Sequence, residues 1–284
     1  MSQVSVHELR RRAAEILKPA MGDETPAAVR ALICGAWRWT LTDLALHQQD
    51  LVDEERVEQI LDMANRMARH EPLQYVVGHC DFCGIEMASA PGALIPRPET
   101  EQLVEAVVEW AEGRKGLRAI DIGTGSGCIA ASLSEMLVEP RVVAVDVSDE
   151  ALAVARQNVS GRRVELRKVD ILTANVDELG EYDIVVSNPP YVMQKEREAM
   201  EANVLDYEPG IALFVPDDDP LIFYRRIATL CRGGLLARGG ALFFEINEAL
   251  GAEMSAMLSG MGFADVEIRK DYLGKDRIAV CTKL

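Results

Sequence analysis

The feature that most constrains the fold is a regular alternation of short apolar runs with helical stretches, which begins at residue 118. We predict strands at Arg118–Ile122, Arg141–Val147, Val164–Val169, Tyr182–Ser187, Gly240–Ile246, Asp265–Lys270 and Arg277–Thr282. Because helical stretches fill most of the gaps, these strands should form a mostly parallel sheet with right-handed crossovers. Only Asp271–Asp276 separate the last two strands, which is too short for a crossover helix. The sequence therefore predicts an α/β fold whose final strand runs antiparallel to its neighbour.

The chain before this sheet has two further parts. Residues 1–72 carry apolar residues at helical spacing and predict an α-helical domain, with helix starts near Pro26 and Thr42. Residues 73–92 contain two alternating runs, 75–78 and 82–87, which predict a β-hairpin linker. Residues 93–284 then form the domain that contains the sheet. At its beginning, Thr100 is a candidate cap for the helix that follows Pro98.

Charge and cysteine content exclude several classes of protein. The formal net charge of −16 argues against direct binding of nucleic acid, since such proteins usually present a basic face. Six scattered cysteines do not predict a disulfide framework, and Cys80 and Cys83 have no second pair that would complete a zinc site. We find no secretory segment and no apolar run long enough to span a bilayer. We therefore expect a cytoplasmic monomer without a metal and without a membrane partner.

A glycine-rich loop follows the first strand of the sheet. It places glycines at every second position, so that the backbone can pass close to a ligand, and a helix begins directly after it. Its predicted ligand-binding residues are Gly123, Thr124, Gly125, Ser126 and Gly127. Asp146, at the end of the second strand, can accept hydrogen bonds from ribose hydroxyls. Asp170 and Ile171, after the third strand, can reach the edge and the face of an adenine ring.

This pattern predicts a nucleoside site but does not by itself choose the cofactor. Dinucleotide enzymes also place an acid after the second strand, with the usual glycine spacing G-x-G-x-x-G. Here the spacing is G-x-G-x-G, and Asp121 stands two positions before the first glycine. Both details favour S-adenosylmethionine over a dinucleotide.

The fourth strand ends in the segment Ser187-Asn-Pro-Pro-Tyr191. The nitrogen of an amide or an aromatic amine is planar and weakly nucleophilic, so an enzyme that methylates it has to orient it. The side-chain oxygen of Asn188 and the carbonyl of Pro189 can accept its two hydrogens, while Pro190 stiffens the turn. Tyr191 can stack on the planar group. We therefore predict Asn188, Pro189 and Tyr191 as catalytic residues, with Asn188 also touching the cofactor. No general base is required.

Together these motifs resemble the HemK-type release-factor glutamine methyltransferases over nearly the whole chain. The matching segments are Glu71–Gly78, Ile95–Glu101, Asp121–Gly127, Asn188–Tyr191, Tyr207–Pro209, Ala212–Phe214 and Gly274–Arg277. The resemblance implies a class I, Rossmann-like S-adenosylmethionine-dependent methyltransferase domain with an N-terminal helical domain that recognises release factors. The implied substrate is the glutamine of their Gly-Gly-Gln loop.

The resemblance also implies roles for individual residues. The glycine loop would wrap the methionine end of the cofactor, and Asp146 would bind its ribose. Asn188 and Pro189 would bind the glutamine amide, with Arg97 and Glu99 at the mouth of the site. The sequence departs from the family pattern at Cys83, at Ile171 and in the segment 215–220.

Two alternatives remain open from the sequence. Adenine methyltransferases of DNA or RNA share the Asn-Pro-Pro-aromatic motif but have to flip a base and bind phosphates, which the acidic charge disfavours. A non-catalytic S-adenosylmethionine-binding protein would use the nucleoside pocket alone, and the intact motif at Asn188–Tyr191 argues against it.

Overall fold

The computed structural model describes residues 3–284. The chain forms two compact units. The first comprises the residues up to His79 together with Glu201–Tyr207, and the second comprises Cys80–Met200 and Glu208–Leu284. No helix within residues 3–284 is long and apolar enough to cross a membrane.

The first unit is built mainly from helices. They are α1 (Val6–Met21), α2 (Thr25–Trp37), α3 (Leu41–Leu46), α4 (Glu54–Met67), α5 (Leu73–Val77) and, after a long excursion of the chain, α10 (Ala202–Tyr207). Two short strands, β1 (Val4–Ser5) and β2 (Leu51–Val52), pair antiparallel. The predicted helix start at Pro26 is confirmed, and α3 begins at Leu41, one residue before Thr42, because Thr40 caps it and forms a capping box with Asp43.

The strand predicted at Tyr75–Gly78 is wrong, because these residues belong to the short helix α5. Tyr75 and Val76 are buried, and Val76 packs in the core of the helical unit. Gly78 ends the helix in the left-handed conformation, with φ of 83°. Burial against the other helices thus outweighs the strand preference of Tyr and Val.

A β-hairpin follows directly. Its strands are β3 (His79–Phe82) and β4 (Ile85–Ala88). The two residues between them, Cys83 and Gly84, both have positive φ, at 51° and 73°. Such a pair is typical of a tight hairpin turn and is unusual for cysteine. The linker hairpin therefore exists, but its first strand lies later in the chain than the sequence predicted.

The second unit is centred on a seven-stranded sheet of order β12-β13-β11-β8-β5-β6-β7. Its strands are β5 (Arg118–Ile122), β6 (Arg141–Asp146), β7 (Val164–Lys168), β8 (Tyr182–Ser187), β11 (Leu236–Glu245), β12 (Ala264–Lys270) and β13 (Asp276–Thr282). The strands β7, β6, β5, β8 and β11 are parallel, and β13 is antiparallel to both of its neighbours. The predicted fold class and the antiparallel last strand are confirmed. Only β11 starts clearly earlier than predicted, with an irregular register between Leu236 and Ala241.

Helices cover both faces of this sheet. They are α6 (Pro98–Trp110), α7 (Cys128–Met136), α8 (Asp149–Asn158), α9 (Val176–Leu179), α11 (Ile222–Leu230) and α12 (Gly251–Gly260). Neighbouring strand residues alternate between two cores: Phe244 and Val185 lie in the one with α11 and α12, and Phe243 and Val186 in the one with α6 and α7. Burial on both faces explains why these strands read as continuous apolar runs.

Short elements complete the unit. A second parallel pair consists of β9 (Val192–Met193) and β10 (Phe214–Val215). Short helical segments lie at Gln194–Ala199, Gly210–Ala212 and Cys231–Leu235, and a further one, Gly22–Glu24, belongs to the first unit. The segment 215–220, where the sequence departs from the family pattern, leaves β10 and forms a turn in which the Asp219 N–H donates to the Pro216 carbonyl at 3.3 Å.

Candidate functional site

A cavity of about 330 Å³ lies at the carboxyl edge of the parallel strands, within the second unit. This volume is within the range of small-molecule sites. Open α/β sheets bind ligands at this edge. The predicted site residues that line the cavity are Arg97, Gly123, Thr124, Gly125, Ser126, Asp146, Asp170, Ile171, Asn188, Pro189 and Pro190. In the described part of the chain, the predicted residues Glu99, Gly127 and Tyr191 are not among its lining residues.

The glycine loop forms one wall with its backbone. Gly123 and Gly125 have φ of 71° and 54°, and an added Cβ atom at either position would meet no atom within 4 Å. Their backbones therefore border open space that a ligand can enter. Gly127 differs, because a Cβ there would lie 3.1 Å from the Ala155 Cβ atom on α8. This third glycine allows helix packing and caps the start of α7.

The loop is supported from beneath by buried polar groups. The Thr124 hydroxyl and the Ala130 N–H donate to one oxygen of Asp121, at 2.5 and 3.2 Å. Burial raises the pKa of Asp121 to about 7, although these two donors oppose the rise. The Asn158 side chain donates to the Ser126 carbonyl at 2.9 Å. The loop conformation is thus fixed by the protein itself.

Acceptor groups stand at the ends of the next two strands. One oxygen of Asp146 accepts from the Gly125 N–H at 2.8 Å, and the other accepts from the Ser148 N–H at 2.9 Å. Each carboxylate oxygen can accept further bonds, so that Asp146 can still bind ribose hydroxyls. Asp170 is exposed and accepts from the Leu172 N–H at 2.9 Å, while Ile171 is buried beside the cavity.

These residues fit a bound S-adenosylmethionine. The cavity combines an open space above two glycines, a half-buried carboxylate at Asp146 and an apolar wall at Ile171. S-adenosylmethionine needs these three kinds of contact, for its methionine chain, its ribose hydroxyls and its adenine ring.

Asn188 and the two prolines form the opposite wall, at the end of β8. The Asn188 side-chain NH₂ group donates to the Thr100 hydroxyl at 3.2 Å. Within residues 3–284 we find no hydrogen bond to the Asn188 Oδ1 atom or to the Pro189 carbonyl oxygen. Pro189 is buried and Pro190 is half-buried, so this corner is rigid and its acceptors are available to a ligand.

Two residues next to Asn188 were missed as parts of the site, and one of them, Thr100, also lines the cavity. Glu245 is buried at the end of β11, and its carboxylate accepts from the Thr100 hydroxyl at 2.6 Å and from the Tyr191 hydroxyl at 3.0 Å. A single acidic residue in an otherwise apolar strand was the signal for Glu245. The predicted cap role of Thr100 is wrong, because α6 begins at Pro98 and Arg97 occupies the cap position. Thr100 lies on the first turn and points to Glu245.

Tyr191 lies beside this group rather than on the cavity wall. Burial and the neighbouring Glu245 carboxylate raise the pKa of Tyr191 above its ordinary value. Burial likewise raises the pKa of Glu245, while the hydroxyls of Thr100 and Tyr191 oppose that rise. The stacking role of Tyr191 stays a prediction.

Arg97, which lines the cavity, forms an ion pair with the buried Glu208. The Arg97 guanidinium donates to Glu208 at 2.5 Å, and the same carboxylate accepts from the Ile95 N–H at 3.2 Å. The Glu208 side chain is almost inaccessible to solvent, whereas Arg97 is one-third exposed. Glu208 was quoted in a sequence motif but given no role, and the structure shows that it fixes the segment that carries Arg97.

Comparisons with known proteins agree with this geometry. Residues 8–78 match the family model of the PrmC N-terminal domain, and residues 99–206 match that of the methyltransferase small domain. A release factor glutamine methyltransferase of Bacteroides thetaiotaomicron is 44% identical over 92% of this chain and 94% of its own length. One of Flavobacterium psychrophilum is 40% identical over 83% and 84%. A crystal structure of a methyltransferase from Pyrococcus furiosus shares the fold, with a TM-score of 0.50, 18% identity and coverage of 81% and 99%.

Proposed function

Because the chain belongs to the release factor glutamine methyltransferase family, we propose that it methylates the side-chain amide nitrogen of the glutamine in the Gly-Gly-Gln loop of peptide chain release factors. The chain is an S-adenosylmethionine-dependent methyltransferase. The observation that carries the proposal for the substrate is the corner of Asn188 and Pro189, two residues that line a nucleoside-type cavity and offer oxygen acceptors. The modification would support translation termination.

The cofactor-binding residues are assigned from their places on the cavity wall. Gly123 and Gly125, with Thr124 and Ser126 between and beside them, would lie along the methionine end. Asp146 would accept from the ribose hydroxyls, and Asp170 and Ile171 would contact the adenine. When bound, S-adenosylmethionine supplies an electrophilic methyl group on a positively charged sulfur.

The protein orients the substrate for this transfer. A carboxamide nitrogen shares its lone pair with the carbonyl, so it is a weak nucleophile in its relaxed planar form. Asn188 Oδ1 accepts one of its N–H groups, and the Pro189 carbonyl oxygen accepts the other. Both hydrogens are then turned away from the incoming methyl group. Positioning of this kind contributes up to about 7–11 kcal/mol in favourable cases.

The proton balance needs no basic residue. The nitrogen–methyl bond forms as the sulfur–methyl bond breaks, which leaves the amide positively charged. A proton then leaves this nitrogen for water. All four histidines, at positions 7, 47, 70 and 79, precede the sheet of the second unit.

The remaining assignments concern recognition. The N-terminal helical domain, residues 1–72, would recognise the release factor, with the hairpin segment 73–92 as linker and residues 93–284 as catalytic domain. The match of residues 8–78 to the PrmC N-terminal domain supports a helical domain that extends to Gly78 and includes α5, beyond the boundary at residue 72. Arg97 at the cavity mouth and the nearby Glu99 would contact the loop that carries the glutamine. A monomeric state and the absence of nucleic-acid binding stay predictions.

The experiment is mass spectrometry of a purified release factor after incubation with the protein and S-adenosylmethionine. We expect the peptide of the Gly-Gly-Gln loop to gain the mass of one methyl group in place of a hydrogen, on the glutamine side chain. A release factor with asparagine in place of that glutamine is the matched control. Transfer of labelled methyl groups to DNA or RNA but not to the release factor would refute the proposal.

A further inference from the structure

An asparagine amide presents two different ends to a ligand. Its oxygen accepts hydrogen bonds and its NH₂ group donates them, but the two ends have nearly the same size. Packing therefore cannot choose between the two orientations of Asn188, and the choice depends on hydrogen bonds. Methyl transfer to an amide nitrogen requires the oxygen of Asn188 to face the substrate, since the substrate nitrogen carries hydrogens.

The groups behind Asn188 decide this orientation. Glu245 is 1% exposed, and in its ionised form its carboxylate can only accept hydrogen bonds. Thr100, at 2.6 Å, must then donate its single hydroxyl proton to Glu245. Only lone pairs of the Thr100 oxygen remain, so that the neighbouring Asn188, at 3.2 Å, has to turn its NH₂ group toward Thr100.

The Glu245 carboxylate is itself held in place. Its second oxygen accepts from the Tyr191 hydroxyl at 3.0 Å, and its backbone carbonyl accepts from the buried Tyr224 hydroxyl at 3.0 Å. Burial raises the pKa of Glu245 and so opposes its ionised form, as does Glu99 to a smaller extent, whereas the hydroxyl donors of Thr100 and Tyr191 and the positive charge of Arg277 favour the ionised form. A buried carboxylate with two hydroxyl donors, one for each oxygen, is a defined acceptor for Thr100.

We propose that Glu245, acting through Thr100, fixes the Asn188 amide with its oxygen toward the cavity, and that both are positioning residues for methyl transfer. This inference rests on the proposed function, in which Asn188 binds the substrate amide. Neither residue needs to touch the substrate for this role. The three side chains come from α6, from the end of β8 and from the end of β11, so the arrangement exists only in the folded unit.

The first test compares two substitutions of Thr100. Thr100→Val keeps the shape and removes the hydroxyl, whereas Thr100→Ser keeps the hydroxyl and removes a methyl group. We expect kcat for release-factor methylation to fall about 10–100-fold in the valine variant, and the serine variant to recover most of that loss. A purely structural role predicts the reverse order, because valine fills the space that serine leaves empty.

Cofactor affinity and folding are measured on the same proteins. Binding of S-adenosylhomocysteine by calorimetry should change less than threefold, because the proposed role of the hydroxyl is to orient Asn188. Thr100 also lines the cavity, so this measurement separates that role from a direct contact with the cofactor. Thr282→Val is the matched control, since Thr282 is a half-buried threonine at the end of β13, away from the cavity lining, whose hydroxyl donates to the Asp265 carboxylate at 2.8 Å. It should lower the melting temperature and leave kcat unchanged.

Glu245→Gln provides an independent variant of nearly the same size. Thr100 and Tyr191 donate to different oxygens of Glu245, and a glutamine in the same place has an NH₂ group at one of these two positions, so that one of the two hydrogen bonds is lost. We expect kcat to fall about tenfold or more, and the double variant with Thr100→Val to be no slower than the worse single variant, because both changes remove one shared arrangement.

The outcomes separate this inference from the proposed function. A wild-type chain that leaves the release-factor glutamine unmodified refutes the proposed function. An active wild type whose folded Thr100→Val or Glu245→Gln variant retains kcat within twofold overturns only the role of Thr100 and Glu245. A loss in cofactor affinity alone, or equal losses of kcat in the valine and serine variants, overturns it as well.

Discussion

Two glycines of the same loop should respond in opposite ways to substitution by alanine. Gly125 has φ of 54° and borders the cavity, and an added Cβ meets no atom within 4 Å. Gly127 has φ of 80°, and an added Cβ would lie 3.1 Å from the Ala155 Cβ and 3.2 Å from its Cα atom. The missing side chain at Gly125 leaves space for a ligand, whereas the missing side chain at Gly127 allows α8 to pack closely.

The free energies follow from these contacts. Alanine in the left-handed conformation costs about 1–2 kcal/mol at either position. Gly127→Ala adds the cost of overpacking against α8, about 1–3 kcal/mol, for a total of about 2–5 kcal/mol. Gly125→Ala has no such clash in the free protein, but its methyl group would oppose the bound cofactor. The same 1–3 kcal/mol then appears as a loss of affinity of about 5–150-fold.

Calorimetry measures both effects. We expect Gly127→Ala to lower the melting temperature more than Gly125→Ala, and Gly125→Ala to weaken S-adenosylhomocysteine binding more than Gly127→Ala. Binding is compared at a temperature at which both variants are folded. If Gly127→Ala proves the weaker binder and Gly125→Ala the less stable protein, the assignment of the two glycines is wrong.

Three further outcomes are expected. Asn188→Ala should lower kcat for methyl transfer by about a hundredfold or more while cofactor affinity changes little, and equal turnover would remove Asn188 from the mechanism. Asp146→Asn should weaken cofactor binding about 10–100-fold in calorimetry, because a charged acceptor for the ribose and for the Gly125 N–H is lost; unchanged affinity would contradict the ribose assignment. Asp121 is ionised above a pKa of about 7 when folded but near 4 when unfolded, so folding favours its protonated form. Between about pH 4 and pH 7, the unfolding free energy of the wild type should thus fall by a few kcal/mol relative to that of Asp121→Asn, and above this range the difference should stay constant. Urea unfolding of both proteins at the two pH values measures this difference. Unfolding free energies that change in parallel with pH in the two proteins would argue against the raised pKa.

The sheet could be predicted from the sequence because its strands are buried on both faces and appear as apolar runs. Their carboxyl ends located Gly123, Asp146 and Asn188 as well, since parallel strands end at one edge. The same reasoning failed at Tyr75–Gly78, where a short run of strand-forming residues is buried in a helix by its tertiary contacts.

The rest of the site depends on contacts that no local pattern contains. Thr100 and Glu245 are 145 positions apart in the sequence, and their hydrogen bond requires α6 and β11 to be in place. Glu208 and Arg97 are 111 positions apart. The role of a single polar residue of this kind is ambiguous in a sequence. A threonine near the start of a helix can cap that helix or bind a distant residue, and only the folded structure shows which of the two it does.

The two units do not divide the chain at one point. The polypeptide leaves the second unit after Met200, contributes a helix to the first and returns at Glu208, one residue before Pro209 of the cavity wall. The Tyr207 hydroxyl donates to the Arg69 carbonyl at 2.7 Å within the first unit. A truncated protein that starts at residue 93 would consequently keep α10 but lose Arg69, the hydrogen-bond partner of Tyr207, with the rest of the helical unit. Removal of the N-terminal part should therefore also affect the catalytic pocket, because α10 loses its contacts with the helical unit and continues directly into a segment that lines the pocket.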